Sequence, residues 1–321
     1  MKKILLLLLG VALPFVMESA PPKKPAAKQD GRSLLSAARQ AYYDYDFDRA
    51  DDYYSQFRKL PESSRRAYEA EFSELADQLE IALNAFDRVQ QIVVVDSVHV
   101  PVGAFAFAKS YRLSESSGRI LTGDEMTFLP LDSESAVGHL SEDGDYIIWS
   151  QVDENGNQDM KEAYRWLDGN WEVMDIEIGS PESVTNYGLP FMSGDGQTVY
   201  FSAEGPGSMG GLDIFIAQRD PITGEFLQPL NLGMPFNSPY NDFMMAVDEE
   251  NGIGWWATDR DSEPGMATVY IYLLNDVRKN YPEDTPDLEK LAKLTDYKAT
   301  QPEEAKEQIE SLKTRLRHWQ R

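Results

Sequence analysis

Gly205, Gly207 and Gly210 spell a G-x-G-x-x-G inside TVYFSAEGPGSMGGLDIFIAQ (198–218), and Glu225 follows the first glycine by twenty residues. In a dinucleotide-binding unit such glycines lead into a helix whose free N–H groups meet a pyrophosphate, and the later acid takes a ribose hydroxyl. The residues that follow do not fit. Leu212, Ile214 and Ile216 alternate with Asp213, Phe215 and Ala217, which is a strand period, and Glu225 falls in the turn PITGEF. The spacing predicts a structural loop between two antiparallel strands. Gly205, Gly207, Gly210 and Gly211 would supply positive φ, and Asp213 would accept N–H groups of the loop. No nucleotide or other cofactor is expected.

Other chemistry-bearing groups are equally unarranged. Asp153, Asn155, Asn157 and Asp159 alternate in DENGNQD as oxygen ligands do in calcium loops. Gln158 and Tyr164 occupy the places where an EF-hand needs Gly and Glu, so an Asn-Gly hairpin loop is the simpler expectation. The acidic loop TDRDSEPG (258–265) reads the same way. His99, His139 and His318 stand in different regions with no ligand or triad spacing, and there is no cysteine. No metal or catalytic residue is therefore expected. A glycosidase needs only two carboxylates, and among 54 acidic residues nothing singles out a pair. Trp149, Trp166, Trp171, Trp255 and Trp256 all fall in strand-rich sequence and read as core.

The elements that carry these residues divide in five. Lys2 and Lys3 precede a short apolar run, Ile4 to Val16, so residues 1–20 read as an export signal. Residues 21–32 are a Pro/Lys/Ala linker, and residues 33–90 are helical. Ala38, Ala50, Tyr54 and Pro61 are spaced partly as in one tetratricopeptide unit. Tyr68, Phe72, Leu75, Leu79, Leu83 and Phe86 stripe a longer helix over 62–89. One such unit cannot stand alone, so it must lean on another part of the chain. The formal charge of −24 repels nucleic acid and anionic membrane, and favours basic protein patches or divalent cations. Without cysteine no lipoprotein anchor or disulfide framework can form.

From 91 to 275 a pattern recurs. LSEDGDYIIWS (140–150), MSGDGQTVYFS (192–202) and VDEENGIGWWAT (247–258) are each a turn followed by an aromatic strand. Further strands follow in EAYRWL, LDIFIAQ and TVYIYLL. Several strands per period of about 40–50 residues are the signature of propeller blades. Residues 188–243, with YFS, the glycine loop, DIF, TGEF and NLG, resemble the TolB-like β-propeller repeat of Bacteroidetes envelope proteins. The resemblance implies an antiparallel propeller-like domain of about four units in a chain that is mainly β with α-helical ends, fewer units than the family's usual six or more. It also implies the cell envelope as the place of action.

The tail, 276–321, ends in a helix. Ala305, Ile309, Leu312, Leu316 and Trp319 form an a/d seam. The seam needs cover, either from within the chain, for which the 62–89 stripe is one candidate, or from another protein, which makes Ile309, Leu312, Leu316 and Trp319 candidate partner-binding residues. Together these features predict a non-enzymatic binding and scaffold protein of the periplasm or outer-membrane periphery, with envelope proteins as partners. A carbohydrate-active or peptidoglycan-processing enzyme on the same scaffold is the alternative.

Overall fold

The computed structural model describes residues 30–131, 136–152, 158–179 and 184–319, with backbone only at 317–319. The expected signal at 1–20 and most of the linker lie outside these residues. Helix formation starts at α1 (Gly31–Tyr43), two residues before Ser33, because the Asp30 carboxylate caps the Ser33 N–H at 2.8 Å. α2 (Phe47–Arg58) returns against α1, with Ala38 and Ala50 fully buried where the helices approach. The helix expected over 62–89 is broken into α3 (Glu62–Arg65) and α4 (Glu69–Phe86). The stripe survives the break: Phe72, Leu75 and Leu79 are buried, and the Phe72 ring stacks on Phe57 at 3.7 Å.

The β region is made of antiparallel meanders. β1 (Val93–Pro101) is followed by α5 (Ala104–Ser110), β2 (Arg119–Thr122), β3 (Val137–Leu140), β4 (Tyr146–Val152), β5 (Gln158–Arg165) and β6 (Trp171–Asp175). Then come β7 (Thr185–Met192), β8 (Thr198–Glu204), β9 (Asp213–Gln218), β10 (Leu230–Asn231), β11 (Asp242–Asp248), β12 (Ile253–Thr258) and β13 (Met266–Leu273). The first sheet runs β2-β3-β4-β5-β6, the second β7-β8-β9-β10, and the third β11-β12-β13-β1. α6 (Leu288–Lys293) and α7 (Lys306–Trp319) complete the chain, which is mainly β with helical ends.

Three sheets stand where about four units were expected, and among the described residues they do not close into a propeller. The missing unit is 91–137. Its first strand, β1, pairs along its length with β13 and completes the last sheet. Its remainder forms α5, which touches both β1 and β2, and the extra strand β2 of the first sheet. Phe107 of α5 packs on Phe243 (5.2 Å between ring centroids), and the Tyr111 ring stacks over Trp255. Apolar side chains thus fill the space between the first and third sheets, with Val137 and Phe191 in the same cluster.

The tail seam is covered from within. Ile309, Leu312 and Leu316 are 2%, 2% and 6% exposed and share a core with Val95, Val247 and Leu273 of the third sheet, not with the α4 stripe. The cover is internal, as one of the two readings had it, but it is the third sheet and not the 62–89 stripe. The reason is the edge of β1: Thr300 Oγ1 accepts from Val94 N at 2.9 Å and Gln301 Nε2 donates to Val94 O at 2.8 Å. Those bonds satisfy an otherwise open strand edge and lay α7 against the sheet. The side chain of Trp319 lies outside the described residues.

The helical module leans instead on the glycine loop. The Tyr42 hydroxyl donates to the Met209 carbonyl, Gln78 Nε2 donates to Gly210 O at 3.2 Å, and the Tyr43 and Tyr240 rings meet at 5.1 Å.

Candidate binding cleft

The repeated turns are built alike. Asp143 accepts from Ser141 Oγ at 2.6 Å and from Asp145 N at 3.0 Å. Asp195 accepts from Gln197 N, Thr198 N and Thr198 Oγ1 at 2.8–2.9 Å. Asp248 accepts from Asn251 N and Nδ2 and from Ser114 N and Oγ at 2.8–3.0 Å. Gly144 and Gly196 (φ 72° and 65°) take the left-handed position that closes the first two turns. The bond from Ser141 holds the Asp143 carboxyl below its usual range. These acids are turn caps.

The β3–β4 and β7–β8 turns, with a 3-10 turn at Glu115–Ser117, enclose a cavity of 350 Å³. His139, Tyr146, Tyr164 and Met192 line its wall, and the exposed Glu142 and Asp195 stand at its mouth. Among the described residues no basic side chain other than His139 lines it. The Tyr146 hydroxyl donates to Glu162 Oε2 at 2.9 Å, and Arg219 pairs with both oxygens of Glu162 from the second sheet. The Arg219 guanidinium lies 4.3 Å over the Phe226 ring. The back of the cleft is therefore a fixed junction of the first two sheets.

His139 sits at that junction. Its Nε2 donates to Ser117 O at 2.8 Å, and Nδ1 accepts from Met192 N at 3.3 Å, which fixes the neutral tautomer. Burial pushes its pKa down to about 4. Both nitrogens are taken by backbone groups, so the ring has no capacity left for proton transfer to a ligand at neutral pH. The nearby serine hydroxyls are also engaged: Ser116 with Glu250, Ser141 with Asp143 and Ser193 with Glu249. Such a cleft can bind neutral or cationic hydrogen-bonding groups; its acidic mouth disfavours anions.

The residues singled out from the sequence lie elsewhere. Gly205 and Gly207 do have positive φ (112° and 91°), and the loop feeds strand β9 rather than a helix. Asp213 is fully buried and accepts from Met209 N at 2.9 Å and Gly210 N at 3.0 Å, as expected. Burial, and then the charge of Asp242, push its pKa up to about 8. Gly210 and Gly211 depart from expectation. Neither has positive φ, and they are glycine because a Cβ would stand 1.8 Å from Tyr240 O and 2.3 Å from Asn241 Oδ1 respectively. Trp149, Trp255 and Trp256 are core, whereas Trp166 is 59% exposed on a hairpin tip. Residues 153–157 of the calcium-like loop are outside the described residues. Among those described, no group of three or more His, Asp or Glu is placed to hold a metal. No described helix is long and apolar enough to cross a membrane.

The role of His139 was missed by sequence reasoning because its partners are backbone groups 22 and 53 residues away. Neither a scan of protein families nor searches of curated proteins and of solved structures found a match to this chain.

Proposed function

We propose that the chain is an exported, non-enzymatic binding and scaffold protein of the cell envelope. Its three sheets act as blades of an incomplete TolB-like propeller, and the cleft among their turns receives a neutral or basic segment of an envelope partner. One observation carries the reading. His139, Asp143, Asp195 and the serine hydroxyls of the cleft are already engaged in holding turns and joining sheets, while the 350 Å³ cavity stays open behind an acidic mouth. Export rests on Lys2, Lys3 and the apolar run to Val16. The periplasm or the outer-membrane periphery is then the compartment.

The alternative is an enzyme acting on envelope glycans, favoured by the three carboxylates Glu142, Asp143 and Asp195 lining one cavity. A single experiment separates the two. Purified protein is incubated with peptidoglycan and oligosaccharides while cell fractions are probed for the chain. Protein in the envelope fraction without glycan turnover is expected. Turnover that disappears in Glu142→Gln would establish the enzyme, and intact precursor left in the cytoplasm would end the export reading.

A further inference from the structure

A second cavity, of 250 Å³, lies between the second and third sheets. Its wall is apolar: Ile92, Leu232, Phe236, Met245, Tyr272 and Leu274. It exceeds the roughly 150 Å³ apolar cavity that holds a benzene ring, and by proportion takes an unbranched chain of about eight to ten carbons. Arg278 and Lys279 line it at one side.

Acids outnumber bases 54 to 30. Arg278 has Arg88 as its charged neighbour, and among the described residues its Nη2 donates only to the Leu232 carbonyl, at 3.3 Å. Among the described residues no carboxylate forms an ion pair with Arg88, Arg278 or Lys279. Partial burial, and then the like charge of Arg88, hold the Arg278 guanidinium below its usual range. Such a group gains from an anion brought to it.

The rim is also preformed. Gln90 N donates to Met234 O at 2.9 Å, Gln91 N to Lys279 O at 2.8 Å, and Tyr281 N to Val89 O at 2.8 Å. Gln90 Nε2 donates to Leu232 O at 2.6 Å, and Asn275 Nδ2 to Gln91 O at 2.7 Å. Three distant segments are thus tied around one opening, so little ordering is left to oppose binding.

We propose that this cleft binds a medium-chain aliphatic carboxylate, with its tail among Ile92, Leu232 and Leu274 and its head group at Arg278 and Lys279. The apolar wall supplies affinity through burial, and the uncompensated cations select the charge of the head. The site is independent of the cleft among the turns.

Octanoate, octanol and octylammonium test it by calorimetric titration of the full chain. Octanoate should bind saturably at a single site, with octanol about tenfold weaker and octylammonium weaker still. Arg278→Gln combined with Lys279→Gln should weaken octanoate about tenfold and leave octanol unchanged. Both residues are exposed overall, although the Arg278 guanidinium is partly covered and donates one long bond to Leu232 O, so the variant should melt close to the parent. Equal affinity for octanoate and octanol would overturn the proposal. So would an unchanged octanoate affinity in the double variant, or the absence of saturable octanoate binding.

Discussion

Acidification should weaken the junction between the first two sheets through one residue. His139 is 4% exposed, its two nitrogens are engaged with Ser117 O and Met192 N, and its pKa lies near 4 against an ordinary 6.5. As pH falls below 6.5 the unfolded chain takes up the proton first, while the folded chain resists until about 4. The contribution is therefore fully present above 6.5 and is lost between 6.5 and 4. From pH 7 to pH 4.5 the loss amounts to about 2 kcal/mol. Carboxylates titrate at the lower end of this range too, so the parent must be compared with His139→Gln, which cannot titrate. Urea unfolding, followed by tryptophan fluorescence and far-UV circular dichroism, supplies both stabilities. At pH 7 the variant should be about 1–3 kcal/mol less stable, because a buried N–H and a buried carbonyl lose a well-placed partner. By pH 4.5 that gap should shrink by about 2 kcal/mol. A gap that stays constant across the range would mean that the ring titrates alike in the folded and unfolded chains, against the buried, neutral His139 described above.

Three further outcomes follow from the packing. Gly210→Ala should lower stability by several kcal/mol in thermal melts, because its Cβ would stand 1.8 Å from Tyr240 O, whereas Gly194→Ala, with nothing within 4 Å, should change it by less than about 0.5 kcal/mol. Leu312→Ala should cost about 2–5 kcal/mol and increase hydrogen exchange in β1 and β13 while leaving α1 and α4 protected; increased exchange confined to α4 would contradict the observed seat of α7. Tyr42→Phe leaves the Met209 carbonyl without its hydroxyl donor, and should cost about 1–3 kcal/mol in denaturant unfolding and increase exchange in α1 first.

What could be read in the sequence was local. Asp143, Asp195 and Asp248 with their following glycines mark turns because the side chain caps its own backbone, and the aromatic strands after them formed as expected. The contact of Asp213 with its own loop spans four residues or fewer, and it too was legible. Non-local choices were not. IVVVDSVHV reads as a strand, but nothing in it says that Val93–Pro101 pairs with β13, some 170 residues later, rather than starting a sheet of its own. The seam of α7 announces that it will be buried and not by what. Its place was decided by Thr300 and Gln301 reaching the edge of β1. Gly210 and Gly211 show the same limit: composition marks them as necessary glycines, but the cause is the approach of Tyr240 and Asn241, not the φ angle. The candidate cleft combines Ser117, His139, Met192 and Asp195, drawn from three elements, and so has no linear signature.

If the proposed function holds, the cleft among the turns receives a partner. Its most direct test is a photo-crosslinking side chain placed at Glu142, at the mouth of that cleft, in the chain expressed in its own cells. Ile222, 92% exposed and not among the residues that line the cleft, serves as the control position. A discrete envelope-protein adduct is expected from position 142 that position 222 does not give, and that is lost when a bulky residue fills the cavity at Gly194. No adduct from position 142, or the same adducts from both positions, would contradict it.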